Sequence, residues 1–332
     1  MISQKCIANR TIMKLKAILI AGLLFHSTIS YSETIFVTLE KDNAIAVVDP
    51  IAGKLIKTVE IGQRPRGIAL SPDQKSLYIA TSDDDAVIIV DAETLKLIDK
   101  LPSGEDPETF AINSDGSKMY VSNEDDNQIT VIDLVNHKAE KTVSVGVEPE
   151  GIAVSPNNEW IVSASETTNM VHWIDAKTLE IKANTLVDPR PRALSFTADG
   201  KQLWVTSEMN SSTMVIDVAT KEILHTIKFS IPAVGQEKVQ PVGVVIDALQ
   251  NWAYVALGPS NRVAVINAKT YQVEKYLLVG ARVWNLAFSP NQERLYTTNG
   301  VSHDISLIDT QNHKVTKSIA VGRYPWGLAV KK

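Results

Sequence analysis

The sequence predicts an all-β chain: a seven-bladed β-propeller of four-stranded antiparallel blades. Three observations predict it. An Ile/Val-Asp pair recurs at Val48-Asp49, Val90-Asp91, Ile132-Asp133, Ile174-Asp175, Ile216-Asp217, Ile266-Asn267 and Ile308-Asp309, always 42 residues apart except for one step of 50. A second marker keeps the same beat at Pro65, Pro107, Pro149, Pro191, Pro241, Val283 (where proline is replaced) and Pro325. Within one period, four short apolar runs alternate with turn signals. A fixed period above twenty residues decides an architecture before any local reading, and four strands in such a unit mark a propeller blade.

The elements of one unit follow in order. Gly151–Ser155 is a run of small and β-branched residues, and Pro156-Asn-Asn-Glu159 is a turn. Trp160–Ser163 is a second strand, followed by the polar loop Glu166–Asn169. Val171–Ile174 is a third strand, Asp175–Thr178 turns again, and Leu179–Leu186 is the fourth. Turns every 8–12 residues are the all-β pattern. Third strands such as Ala86–Val90 are apolar at every position, as strands packed on both faces must be. First strands carry small residues (Gly67 and Ala69, Gly151 and Ala153, Gly327 and Ala329), as expected where blades converge on the axis. The repeated Asp precedes a turn and is expected to accept backbone N–H groups there; Asn267 keeps that ability without charge.

The ends show how the ring closes. After Pro325 only one strand remains, while the chain opens with three: Thr34–Leu39, Ala44–Val48 and Lys54–Ile61. One C-terminal strand and three N-terminal strands complete the shared blade, which removes open sheet edges. Residues 33–332 therefore form a single domain.

Residues 1–32 lie outside the repeat and read as a secretory signal peptide. Lys14 and Lys16 precede the apolar run Ala17–Phe25, and Ser30-Tyr-Ser32 offers a cleavage site. Met13 is the candidate true start, and a retained membrane anchor is the alternative. The run is short for a bilayer span. The lone Cys6 goes with this segment, which excludes disulfide and thiolate chemistry in the mature chain. The whole chain has formal charge −5, and cleavage leaves 29 basic against 38 acidic residues. No basic patch points to nucleic acid. The expectation is a periplasmic protein without a membrane segment after cleavage.

The repeat separates scaffold from function: what varies at equivalent positions is where function sits. Around the proline marker stand Arg64 and Arg66, Asp106 and Glu108, Glu148 and Glu150, Arg190 and Arg192, Gln240 and Val242, Arg282 and Trp284, Tyr324 and Trp326. Nine residues before each repeated Asp/Asn stand Glu40, Ser82, Glu124, Glu166, Glu208, Gly258 and Gly300. Both series belong to loops on one face and are expected to ring the channel mouth. Either these charges pair among themselves, or the arginines hold a carboxylate ligand against a Trp284/Trp326 wall. Exposed pairs stabilise by only about 0–1 kcal/mol, so a purely structural demand for them is weak. The eight extra residues around Phe229–Val239 enter the same face, as a loop able to cover the mouth or as a tolerated insertion. Catalytic signatures are sparse. His137, His172, His225, His303 and His313 have no metal-ligand spacing, and no serine elbow or phosphate loop occurs. Asp83-Asp-Asp85 and Glu124-Asp-Asp126 are candidate divalent-cation loops.

Met119-Tyr-Val-Ser-Asn123 and Leu295-Tyr-Thr-Thr-Asn299 resemble the YVTN-type propeller repeat. Gly62-Gln-Arg-Pro-Arg-Gly-Ile-Ala-Leu70, Asn123-Glu-Asp-Asp-Asn127, Gly146-Val-Glu-Pro-Glu-Gly151, Ser165-Glu-Thr-Thr-Asn-Met170, Gln240-Pro-Val-Gly243, Ala256-Leu-Gly-Pro259, Lys275-Tyr-Leu-Leu-Val-Gly280 and Val321-Gly-Arg-Tyr-Pro-Trp-Gly327 resemble the PQQ-dependent catabolism-associated β-propeller family, from about Glu33 to Val330. The resemblance implies an exported protein associated with quinoprotein alcohol oxidation, and with the sparse catalytic signatures the expectation is a non-enzymatic binding or accessory protein. PQQ, an anionic metabolite, a PQQ-dependent dehydrogenase or its cytochrome would be the ligand or partner. It supplies no catalytic residues. The alternatives are a propeller lactonase-like hydrolase using a divalent metal, and a surface interaction scaffold.

Overall fold

The computed structural model describes residues 33–332; the expected signal peptide, Met13 and Cys6 lie outside the described residues. Seven four-stranded antiparallel sheets follow one another, with two single-turn 3-10 helices at Ser82–Asp84 and Gln236–Lys238. Blade 1 is the shared one: Pro325–Lys331 pairs with Thr34–Leu39, which is followed by Ala44–Asp49 and Lys54–Glu60. Blades 2 to 5 begin on inner strands Pro65–Leu70, Pro107–Ile112, Pro149–Val154 and Pro191–Phe196, blade 6 on Val244–Ile246 and blade 7 on Val283–Phe288. No helix among the described residues is long and apolar enough to cross a membrane.

The core is seven apolar clusters, one at each blade–blade interface. The third strand of blade 1 shows why it is apolar throughout. Ala46 and Val48 face blade 7, whereas Ile45 and Val47 face blade 2. Successive side chains point to opposite sheet faces, so each residue serves one of two interfaces. Each fully buried Val or Ile contributes about 1.5–3 kcal/mol. Trp173 and Trp204 are fully buried in these interfaces, as blade-packing residues.

All seven repeated Asp/Asn residues cap the following turn. The Oδ1 atoms of Asp49, Asp91, Asp133, Asp175, Asp217, Asn267 and Asp309 accept backbone N–H groups two or three residues on, at 2.7–3.2 Å.

The eight extra residues do not form a lid. Phe229, Ile231 and Val239 are buried in the cluster between blades 5 and 6, and Gln236 bonds back to the Phe229 carbonyl and to Ser211. Three apolar side chains pull the loop into the rim groove, and Ser230, Gln236, Glu237 and Lys238 are among the residues left exposed.

Candidate functional site

Local backbone geometry builds the mouth. The residue before six of the seven markers adopts a left-handed conformation: Arg64, Asp106, Glu148, Arg190, Arg282 and Tyr324 have φ of 49–59°. An L-residue there costs about 1–2 kcal/mol without compensation. The compensation repeats. Asn43, Asp85, Asn127, Asn169, Asn261 and His303 each accept that residue's N–H at 2.8–3.2 Å. Its carbonyl takes the N–H of Glu40, Ser82, Glu124, Glu166, Glu208 or Gly300 at 2.9–3.2 Å. The two variable series are thus tied backbone to backbone. A bulge just after the marker, as between Pro65 and Ile68 or Pro149 and Ile152, then re-aims the next side chain toward the axis.

The charges form two clusters. At blades 2 and 3, Arg64 Nη1 donates to both Asp106 oxygens, at 2.9 and 3.0 Å, and Nη2 donates to Glu108 at 3.2 Å. Arg66 also pairs with Glu108 and lies 3.8 Å from Glu40. At blades 4 and 5, Arg192 binds Glu150 at 2.7 Å, pairs with Glu166 and lies 3.8 Å from Glu208. Arg190 reaches Glu166 at 2.8 Å and Glu208 at 3.1 Å. The pairing expected only as a weak surface effect is therefore real but not superficial. Glu108 is fully buried, and Glu150, Glu166, Glu208 and Arg192 are each less than 10% exposed.

Burial and crowding move protons. Burial, then repulsion from Glu108, Asp106 and Glu166, pushes Glu124 up to about 8. Burial raises Glu150 well above the usual carboxylate range against the pull of Arg192. Glu166 is buried too, yet a hydrogen bond from Glu150, with Arg192 and Arg190, holds it below its ordinary value. The two shifts run in opposite directions, the pattern of a crowded carboxyl pair that does not ionise twice. The same balance holds Arg66 and Arg192 above an ordinary guanidinium, their carboxylate partners outweighing burial.

The remaining arc is aromatic. Arg66 lies 5.7 Å from the Trp326 ring, Arg192 5.9 Å from Trp284, and Arg282 4.5 Å from Trp284. Between the arcs a cavity of about 110 Å³ opens on the axis, with Glu150 and Arg192 on one wall and Val242, Trp284 and Trp326 on the other. Tyr324 does not join it; it is half-exposed beside His303, rings 5.5 Å apart.

Sequence reasoning missed Thr109 and Asn285, which also line the cavity. They stand two residues after the marker, in a series (Gly67, Thr109, Gly151, Ala193, Gly243, Asn285, Gly327) that carried the signal. His172, set aside in the sequence for want of metal-ligand spacing, is buried. Its Nε2 accepts the Gly146 N–H at 2.9 Å while Nδ1 donates to Asn184 at 2.7 Å, and burial lowers its pKa.

The donor sets test the candidate cofactors. Oxygens of Asp106, Glu108 and Glu124 lie within 4.8 Å of one another. Two arginines already engage Asp106 and Glu108, and Glu124 holds a proton up to about 8. As arranged, the set does not fit a divalent cation. Nor does the mouth fit PQQ, a tricarboxylate, because Arg64, Arg66, Arg190 and Arg192 are all held by carboxylates.

Residues 40–142 match the family model described as lactonase, 7-bladed beta-propeller, and residues 107–189 match the cytochrome D1 heme domain. The chain is similar to lactonase-type propellers. No curated protein matches it. A putative 6-phosphogluconolactonase of Bacteroides fragilis superposes with TM-score 0.77 at 17% identity, over 92% of this chain and 99% of that one. A chain of the Kuenenia stuttgartiensis hydrazine synthase gives 0.71 at 20% identity, over 80% and 90%. A dihydro-heme d1 dehydrogenase in complex with DHE gives 0.63 at 16%, over 86% and 63%. At these identities the propeller shares their fold.

Proposed function

We propose that the channel mouth is a hydrolase site that opens a lactone ring. The observation carrying this reading is the Glu150/Glu166 pair with Arg192 beside the axial cavity. The lactonase match over residues 40–142 supports it. Ionised Glu166 takes a proton from water as the water oxygen bonds to the lactone carbonyl carbon. Arg192 faces the charge that develops on the carbonyl oxygen. Glu150 gives its proton to the departing ring oxygen as that C–O bond breaks. The product is a hydroxy acid, and the Glu166 proton returns to Glu150 through their hydrogen bond. Acid–base catalysis of this kind contributes about 10²–10⁴-fold. Proton release from a panel of lactones should exceed the uncatalysed rate, and Glu150→Gln should lower kcat by about 10²-fold or more. Rates equal to buffer across the panel would sink the reading.

The blade-specific segments at 62–67, 146–151 and 321–327 support a second reading: an exported accessory protein of quinoprotein alcohol oxidation. Its partner would be the dehydrogenase or its cytochrome, in the periplasm. Crosslinking in alcohol-grown cells tests it; recovery of neither partner counts against it.

A further inference from the structure

The arginines at the mouth invite an anionic substrate, and their partners argue against one. Arg192 is the one arginine lining the axial cavity, and it has three carboxylates within 4 Å. Arg64, Arg66 and Arg190 are engaged in the same way. Arg282 has no carboxylate partner among the described residues, but it stacks on Trp284 outside the cavity lining. No uncommitted cation therefore faces the cavity. A phosphate or carboxylate entering it would meet Glu150 and would have to displace a carboxylate from the buried pairs that hold Arg192. Such a disruption is strongly unfavourable in low dielectric.

Two observations say what the cavity does want. Arg192 is nine-tenths buried, and its Nε–H has no acceptor among the described residues. Arg192 already meets three carboxylates, so an uncharged acceptor such as a carbonyl oxygen suits this wall better than a further anion. The opposite wall is Val242, Trp284 and Trp326, which suits an apolar ring face. The volume, about 110 Å³, is somewhat below that of a cavity of about 150 Å³ known to take benzene. It holds one small ring, with substituents directed out of the opening.

We infer that the cavity selects an uncharged small-ring lactone and discriminates against its phosphorylated counterpart. This deepens the hydrolase reading and rests on it for the ligand class. It also separates this chain from the phosphorylated substrate that the name of its Bacteroides fragilis neighbour implies.

The test compares δ-gluconolactone with 6-phosphogluconolactone in two arms. In the first, initial rates on the wild-type chain should favour the free lactone by about tenfold or more in kcat/KM. In the second, calorimetry on Glu150→Gln reads binding with turnover slowed by about 10²-fold, again with the free lactone about tenfold tighter. Binding of the free lactone without hydrolysis by the wild type keeps this inference and removes the hydrolase reading. Equal or stronger use of the phosphorylated lactone overturns the inference and leaves hydrolysis standing. Absence of binding to either overturns both. Glu208→Gln, which takes one carboxylate from Arg190 and Arg192, should narrow the preference; an unchanged ratio speaks against charge balance as its origin.

Discussion

At the scale of single residues, the mouth is governed by carboxylate crowding more than by its arginines. Glu124 shows this best. Its pKa of about 8 lies above the ordinary 4.5, with burial first and Glu108 second among the causes. A carboxyl with a raised folded pKa binds its proton more tightly when folded. It therefore carries no penalty below about 4.5, and a growing one as pH rises from there to about 8, constant above. Glu124→Gln should consequently leave stability unchanged at pH 4.5 and raise it by about 1 kcal/mol at pH 9, after allowance for solvent screening. Urea midpoints between pH 4.5 and 9 measure this; parallel curves for the two proteins would show that Glu124 is an ordinary exposed acid. The turn-capping carboxylates behave oppositely. Asp91, Asp175, Asp217 and Asp309 are held below their usual range and Asp133 down to about 2, each mainly by hydrogen bonds within its turn. Their contribution is present above the ordinary carboxylate range and fades as pH falls through the lowered values.

At the scale of elements, inner-strand spacing decides which side chains reach the cavity. A Cβ on Gly151 would lie 2.0 Å from the carbonyl oxygen of Arg192 in the next blade, and one on Gly243 2.6 Å from that of Trp284. Blades 3 and 7 solve the same approach with side chains. Thr109 donates to the Glu150 carbonyl at 2.5 Å, and Asn285 to the Trp326 carbonyl at 3.0 Å. Gly151→Ala must push backbone against backbone beneath Glu150 and Arg192, costing about 1–3 kcal/mol. The reverse change at the same register one blade on, Ala193→Gly, should cost only about 0.5–1 kcal/mol. Thermal unfolding of the pair checks the order, and a harmless Gly151→Ala would mean that the inner strands can spread. The same elements show what was legible beforehand. Blade number, strand order, closure and both variable rings follow from a period that every copy repeats. The depth of Glu108, Glu150 and Arg192 does not, because a one-residue bulge and a left-handed residue before proline set it, and neither changes the hydrophobic pattern. The insertion misled for a related reason: Phe229, Ile231 and Val239 look like ordinary loop residues until the groove between blades 5 and 6 is there to receive them.

At the scale of the whole molecule, the site depends on the ring being closed. Pro325–Lys331 pairs with Thr34–Leu39 through Val37↔Leu328, Phe36↔Ala329 and Ile35↔Val330. It fills two core clusters, with Leu328 against blade 7 and Ala329 against blade 2. It also brings Trp326 to the cavity wall, where Asn285 and Thr298 of blade 7 both donate to the Trp326 carbonyl, at 3.0 and 2.6 Å. Without this strand, blade 1 has an exposed inner edge, two interfaces lose apolar contacts, and the aromatic arc loses one of its two tryptophans. Seven interfaces of one kind do not let the loss stay local, since the inner strands of blades 2 and 7 both pack on the missing strand. A chain ending at Gly322 should therefore lose its cooperative unfolding transition and, under the proposed function, lactone binding with it. A synthetic peptide spanning residues 323–332 should restore both by adding the strand back, because strand addition draws on the same ladder and the same pockets as the covalent strand. Calorimetric scans of the truncated chain, with and without peptide, read the result. A truncated chain that melts within about 5 °C of the intact protein, a shift of roughly 3 kcal/mol for a domain of this size, would show that closure is not what holds the channel together.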